Sequence, residues 1–167
     1  LLLIHTHIHI MADTIILRRR SFIITHIIIM DTDIMDGKPS LISRRPNRIF
    51  TFGCSFTRFI WPTWAHIIAH ELNVPLYNYG MCGAGNQFIF NTLMQADTFH
   101  TFTEDDLVMI CWSSLAREDR YKDGLWILEG NVYLAEHIYD KNYIKKWADD
   151  FGYAIRDYAV IKAAWEF

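Results

Sequence analysis

Residues 48–57 read Arg-Ile-Phe-Thr-Phe-Gly-Cys-Ser-Phe-Thr, an apolar run that stops at a glycine and is followed closely by a hydroxyl. The run predicts a buried β-strand, and Gly53 permits the sharp backbone turn that ends it. We expect Ser55 in that turn, just before a helix whose N-terminus offers unpaired N–H groups. An attacking alkoxide needs an exposed oxygen and nearby donors, so the pattern suits a nucleophile. The alternative is an ordinary strand-to-helix turn in which Ser55 or Thr57 caps the helix.

The same pattern recurs at residues 74–86, which read Val-Pro-Leu-Tyr-Asn-Tyr-Gly-Met-Cys-Gly-Ala-Gly-Asn. A short strand leads into three glycines and an asparagine, and Ile89, Leu93 and Ala96 continue with helical spacing. A third apolar run follows at residues 107–112. The alternation of strands and helices predicts right-handed βαβ units, an α/β fold and a parallel sheet. Because the carboxyl ends of parallel strands meet at one edge, we expect the two glycine loops to form a site there.

These loops resemble the motifs of the SGNH (GDSL-type) hydrolases. Residues 53–57 are similar to the family's first block, Gly-Asp-Ser-x-Thr, and residues 78–83 are similar to its second, Asn-x-Gly-x-x-Gly. The resemblance covers about residues 48–167 and is nearest to the Gly-Cys-Ser-Phe-Thr variety of phage and marine microbial sequences. It implies a three-layer, flavodoxin-like parallel sheet, incomplete at the C-terminus. It also implies that Ser55 is the nucleophile and that the backbone N–H groups of Ser55 and Gly83 hold the oxyanion.

The family's third block, a Gly-x-Asn after the third strand, has no counterpart in this chain. Residues 113–117 read Ser-Ser-Leu-Ala-Arg where that block would stand. Candidates for the third oxyanion donor are therefore Asn86, Ser113 and Ser114. Arg117, close to the end of the same strand, could hold an anionic group, orient the site or form a surface ion pair.

The family's last block, Asp-x-x-His, which supplies the general base, is not found either. The sequence begins at Leu1 and ends within a helical pattern formed by Ala154, Tyr158, Ile161 and Trp165. We therefore interpret the chain as a fragment of a longer protein. The base is then expected beyond the chain end, with His137 as the one candidate within the chain. The resemblance implies a serine esterase or acyl hydrolase that cleaves carboxylic or O-acetyl esters of small molecules or glycans, with no cofactor and no metal.

Three other functions remain open. The same loops could belong to a non-catalytic module that grips a carbohydrate or an anion. A P-loop nucleotide enzyme is disfavoured because the long glycine loop and its lysine are missing. A thiol enzyme built on Cys54 would require a reactive thiolate at that position.

The net charge and the cysteine and histidine spacing limit the kinds of ligand and the cellular compartment that we expect. The formal net charge is −3, which argues against nucleic acid, because phosphate contacts require clustered Lys and Arg. Cys54, Cys82 and Cys111 lack Cys-x-x-Cys spacing, which disfavours a zinc ribbon or a disulfide framework and favours the cytoplasm. They end three successive predicted strands, so they could approach one another. His66 and His70 share a face of the first helix but lack the third ligand of a zinc site.

Residues 1–47 differ in character from the predicted domain at residues 48–167. We interpret them as an extension that is disordered or not genuine, lying upstream of a true start at Met30 or Met35. The three arginines at 18–20 precede an apolar run at 22–30, so secretion is the alternative, although the run is too short to span a bilayer. The oligomeric state is not predicted.

Two further segments carry weaker patterns. The first helix should place Trp64, Ile67, Ile68 and Leu72 on its buried face. We expect residues 117–139 to form a long loop or small insertion over the carboxyl edge of the sheet. Its aromatic side chains could line a sugar or acyl pocket.

Overall fold

The computed structural model describes residues 22–24, 45–135 and 138–167 and has a mixed α/β architecture. One sheet contains four parallel strands in the order β1-β4-β2-β3, where β1 is Phe22–Ile24, β2 is Arg48–Phe52, β3 is Leu76–Asn78 and β4 is Asp106–Ile110. A separate antiparallel pair consists of β5 (Arg117–Lys122) and β6 (Leu125–Asn131). The helices are α1 (Trp64–Leu72), α2 (Asn86–His100), α3 (Lys141–Trp147) and α4 (Asp150–Glu166). The predicted α/β class with a parallel sheet is confirmed.

Helices cover both faces of the sheet, because alternate strand residues point in opposite directions. On one face, β2 and β4 pack with α2 and the end of α4 through a cluster that contains Phe50, Phe52, Val108, Ile110, Leu93 and Ala164. On the other face, the same strands pack with α1 through Ile49, Leu107, Met109 and Ala69. Burial on both faces explains why β2 and β4 are apolar almost throughout.

The order of the strands places the serine turn at a reversal point of the sheet, where the chain adds one strand on one side of β2 and the next strand on the other side. From β2 the chain passes through α1 to β3 on one side, and then through α2 to β4 on the other. The connection from β3 to β4 crosses over β2, so β3 and β4 lie on opposite sides of β2. Ligand sites of parallel sheets commonly lie at the carboxyl ends of the strands at such a point, and Ser55 follows β2 there.

An ion pair joins β2 and β4 at their amino ends. Arg48 Nε lies 2.7 Å from Asp106 Oδ1, and Arg48 Nη2 lies 2.6 Å from Asp106 Oδ2. Thr103 donates to the same carboxylate from its backbone N–H and from its hydroxyl. Two parallel N–H···O bonds between planar groups set orientation as well as distance, so the pair helps to fix the register of the two central strands.

The predicted buried faces of the helices are correct in some places and wrong in others. In α2, Ile89, Leu93 and Ala96 are buried as predicted. In α1 the predicted Trp64, Ile68 and Leu72 are partly buried and pack against the core, but the predicted Ile67 is exposed, and Ala65 and Ala69 are buried. Small side chains are favoured at these two positions because they allow the helix to lie close to the sheet.

The helical pattern at the end of the chain is confirmed by α4, which contains Ala154, Tyr158, Ile161 and Trp165. The buried residues of α4 are Tyr153, Asp157 and Ala164. Asp157 could not be recognised as buried from its residue type, because charged side chains are buried only when partners are provided by other elements.

Residues 117–139, predicted as a long loop or a small insertion, begin with the β5–β6 hairpin, which is a small insertion after the third strand of the predicted domain. Asp123 and Gly124 form its turn, with φ angles of 53° and 81°. Positive φ at both central residues is the requirement of the hairpin turn that Asp-Gly favours. The dipeptide between two short runs was therefore the signal that could have revealed the hairpin.

Strand β1 lies within the predicted N-terminal extension and pairs with β4 in the register Phe22↔Leu107. Apart from residues 45–47, the rest of that extension, including the arginines at 18–20 and the two proposed starts, lies outside the described residues, as does His137. Within the described ranges, none of the helices combines the length and the apolar character needed to cross a bilayer.

Candidate functional site

Ser55 occupies a tight turn at the end of β2. The Thr57 N–H donates to the Cys54 carbonyl at 2.9 Å, and the Arg58 N–H donates to the same oxygen at 3.2 Å. Ser55 is therefore a central residue of the turn and is partly exposed, whereas Thr57 is buried. The helix that follows the turn is α1, which begins at Trp64, two residues after Pro62. An intervening loop separates the N–H groups of α1 from Ser55 in the sequence.

Gly53 is required by close packing at the start of this turn. A Cβ atom at position 53 would lie 2.0 Å from Thr57 Oγ1 and 3.0 Å from the Cys111 carbonyl oxygen. The chain that follows β2 can therefore lie this close to the serine turn and to the end of β4 only if residue 53 is a glycine.

Hydrogen bonds hold the second glycine loop against the serine turn. Asn78 Nδ2 donates to the Thr57 carbonyl at 2.8 Å, and Asn78 Oδ1 accepts from the Gly80 N–H at 3.0 Å. The Met81 N–H donates to the Gly53 carbonyl at 3.0 Å. The structure thus brings together the two loops that the sequence predicted to meet, and Asn78 is the side chain that bonds to both.

Two backbone donors are available in these loops. In residues 45–135 and 138–167, neither the Ser55 N–H nor the Gly83 N–H donates to another described residue. Gly83 has a φ angle of 80°. Free N–H groups of this kind can bind an oxyanion without first breaking a hydrogen bond of the protein.

Asn86, the third predicted site residue, is fully buried at the start of α2. Its Oδ1 accepts from the Ser113 N–H at 2.7 Å, and its Nδ2 donates to the Ser113 carbonyl at 3.1 Å and to Asp157 Oδ2 at 2.9 Å. Both amide hydrogens are engaged, so donation to an oxyanion would break one of these bonds. In this arrangement Asn86 positions the loop that follows β4.

The other candidates for a third donor lie in that loop. The Ser113 hydroxyl oxygen is buried and has no hydrogen-bond partner among the described residues. Ser114 is exposed, and its hydroxyl accepts from Arg117 Nε at 3.2 Å. Arg117 also donates to the Ala84 carbonyl at 3.1 Å, so it joins the loops after β3 and β4.

Asp119 occupies the N-terminus of α2, a role that sequence analysis did not predict. Its carboxylate accepts from the Gly85 N–H at 2.8 Å and from the Phe88 N–H at 2.9 Å. Burial raises the pKa of Asp119 and outweighs the opposing effect of the two N–H groups and of Arg156. The anion position at this helix terminus is therefore filled by the protein's own carboxylate.

The described histidines are engaged away from Ser55. His66 Nδ1 lies 3.2 Å from the Thr63 backbone nitrogen, and His100 Nε2 lies 2.7 Å from the Tyr79 hydroxyl. His70 lies 3.6 Å from the Glu71 carboxylate on the exposed side of α1. Among the residues that the structure describes, no histidine is hydrogen-bonded to Ser55.

All three cysteines are free thiols: Cys54 is buried, Cys82 is exposed and Cys111 is intermediate. Burial raises the pKa of Cys111, and the neighbouring Cys54 raises it further. The Cys111 thiol is thereby kept in its protonated, less reactive form. In the described part of the chain, no cluster of three or more His, Cys, Asp or Glu residues is placed to hold a metal ion.

Replacing Gly83 by alanine should lower the free energy of unfolding by about 2 kcal/mol, because the substitution adds backbone strain and a clash. The new Cβ would lie 2.5 Å from the Leu128 carbonyl oxygen. Gly130→Ala is the matched control, since Gly130 has a φ of 79° but nothing within 4 Å of its Cβ position. Urea unfolding followed by circular dichroism measures both variants, and equal losses would show that the contact with Leu128 is unimportant.

Comparison of the chain with protein-family models, with curated proteins and with solved structures found no match. The resemblance to SGNH hydrolases therefore rests on the short sequence motifs that contain Ser55 and Gly83.

Proposed function

We propose that the protein is a serine ester hydrolase of the SGNH type, with Ser55 as its nucleophile. The proposal depends mainly on one observation: a partly exposed serine lies in a turn at the reversal point of a parallel sheet. Hydrogen bonds to Gly53 and Thr57 join this turn to the second glycine loop. The order β3-β2-β4 of the central strands is the order with which flavodoxin-like sheets begin, which supports the finer assignment of the fold.

The proposed chemistry is acyl transfer in two steps. Ser55 Oγ attacks the carbonyl carbon of the ester, and the N–H groups of Ser55 and Gly83 stabilise the negative oxygen of the tetrahedral intermediate. The bond to the alcohol oxygen then breaks, and the alcohol leaves with a proton. Water attacks the acyl-serine in the second step, which releases the carboxylic acid and restores Ser55.

A general base must accept the proton of Ser55, and the described histidines contact other residues. The family resemblance assigns this role to the histidine of its Asp-x-x-His block, and His137 is the candidate within the chain. Asn78, Asn86 and Arg117 have positioning roles, because they hold the three loops of the site together.

A second candidate is a non-catalytic module that binds a carbohydrate through the same loops. The engagement of His66, His70 and His100 away from Ser55 favours it. Binding of an anion at the start of α2 is disfavoured, because Asp119 already occupies that position.

Hydrolysis of p-nitrophenyl acetate tests the nucleophile. With a general base in reach, the chain should exceed the Ser55→Ala variant by on the order of a hundredfold or more in kcat/KM. Thr98→Ala is the control, since this exposed hydroxyl on α2 bonds only its own helix at Met94. His137→Ala tests the base within the chain. Where the reading frame continues past codon 167, the longer product tests a base that follows.

Labelling with a fluorophosphonate gives an independent readout. Peptide mass spectrometry should find the phosphonyl group on Ser55 and not on Thr98. Equal hydrolysis rates for the parent and Ser55→Ala, without labelling of Ser55 in either product, would discard the esterase and leave the binding module.

A further inference from the structure

The loop that follows Ser55 exposes an unusual number of large apolar side chains. Phe56 is 73% exposed, Ile60 is 89% exposed and Trp61 is 60% exposed. Phe59 is also exposed, and its ring centroid lies 4.2 Å from that of Trp61. Single exposed apolar residues are common, but a cluster on one loop is characteristic of a binding surface.

The loop is anchored to the body of the protein. Thr57 is fully buried, and its carbonyl accepts hydrogen bonds from Asn78 Nδ2 and from the Thr63 hydroxyl. The exposed side chains on either side of Thr57 therefore belong to a segment with fixed ends. A surface fixed in this way can bind a ligand at a smaller cost in conformational entropy than a free segment.

The neighbouring loops at the same edge of the sheet also expose apolar side chains. Met81 lies in the loop after β3, and its N–H donates to the Gly53 carbonyl. Leu115 lies in the loop after β4 and is exposed as well. All three loops that follow the central strands thus expose at least one large apolar side chain at this edge of the sheet.

We propose that these side chains bind the acyl chain of the ester, so that esters of long apolar acyl groups are better substrates than acetyl esters. The inference rests on the proposed function, because the carbon that Ser55 attacks carries the acyl chain. That chain must extend across residues that border Ser55. Phe56 is the next residue of the turn, and Met81 lies in the loop that is hydrogen-bonded to Gly53. We call the set the apolar rim: Phe56, Phe59, Ile60, Trp61, Met81 and Leu115.

Binding of carboxylate product analogues tests the apolar rim without requiring catalysis. Dissociation constants for acetate, hexanoate and decanoate are measured by calorimetry below the micelle concentration of decanoate. Affinity should increase about two- to fourfold for each added methylene, the upper figure corresponding to full burial of the group. Phe56→Ser and Trp61→Ser should each weaken decanoate binding several-fold, with thermal melts confirming that both variants fold.

Phe99→Ser is the matched control. Phe99 is as exposed as Phe56 but lies near the C-terminal end of α2, next to His100, whose carbonyl approaches Arg48 at the opposite edge of the sheet. Affinity that does not depend on chain length, or an equal loss in Phe99→Ser and Phe56→Ser, overturns the proposal.

Hydrolysis of p-nitrophenyl acetate, hexanoate and decanoate separates this proposal from the proposed function. Hydrolysis that depends on Ser55 but not on chain length keeps the esterase and overturns the acyl role of the rim. If decanoate binding depends on Phe56 but hydrolysis does not depend on Ser55, the apolar rim is a site for apolar ligands and the protein is not an esterase. A kcat/KM that rises with chain length and falls in Phe56→Ser supports both.

Discussion

Replacing Asp106 by alanine should lower the free energy of unfolding by about 3 to 5 kcal/mol. The Asp106 side chain is 1% exposed and accepts hydrogen bonds from Arg48 and from Thr103. Its removal leaves the Arg48 guanidinium without its carboxylate and the Thr103 N–H without its acceptor. Because the Arg48 side chain keeps 27% exposure, water can solvate part of the charge, which places the expected loss near the lower limit.

Urea unfolding of Asp106→Ala measures this loss, with Glu104→Ala as the control. Glu104 is an exposed carboxylate two residues away, and its replacement should change stability by no more than about 0.5 kcal/mol. Asp106→Asn keeps the size of the side chain and should fall between the two. Equal stability of Asp106→Ala and Glu104→Ala would show that the ion pair does not hold β2 and β4 together.

The same carboxylate predicts how stability changes with acid. Burial acts to raise the pKa of Asp106, but the bonds from Arg48 and Thr103 together outweigh it and lower the pKa below its ordinary value of 3.8. The contribution to stability is therefore complete above the unfolded-state pKa and is lost as the pH falls through the lower folded-state value. Below about pH 4 the parent should lose stability more steeply than Asp106→Asn, which has no such carboxyl to titrate.

Replacing Asp157 by alanine should cost about 3 kcal/mol and should also loosen the loop after β4. Asp157 is fully buried and accepts from Asn86 Nδ2 at 2.9 Å and from Arg156 Nε at 2.9 Å. Without Asp157, one amide hydrogen of Asn86 has no described acceptor, and the Asn86 side chain that holds both backbone groups of Ser113 is less constrained.

Hydrogen exchange distinguishes this positioning role from a general loss of stability. In Asp157→Ala the Ser113 amide should exchange faster relative to core amides such as Phe50. Lys162→Ala, an exposed change on the same helix, should alter neither stability nor this ratio. A uniform increase of exchange across the core, with no excess at Ser113, would contradict the positioning role of Asp157.

Several parts of the fold could be predicted because they depend on neighbouring residues. The apolar runs of β2 and β4, the helical spacing of Ile89, Leu93 and Ala96, and the two glycine loops all require interactions within a few residues. The Asp123-Gly124 turn belongs to the same class and was overlooked. The helix α4 also followed from local spacing, but that spacing did not reveal the partners of the buried Asp157.

The features of the candidate site also fall into those that neighbouring residues predict and those that depend on packing. By itself the sequence determined which turn carries Ser55 and that the loops after β2 and β3 lie side by side, because glycine placement and the parallel βαβ order follow from local chain geometry. Only the tertiary structure decided that Asp119 caps α2 from 34 residues away and that Asp157 bonds Asn86 across 71 residues. Such contacts depend on how separate elements pack, and a polar side chain carries no local signal of the partner that it will meet.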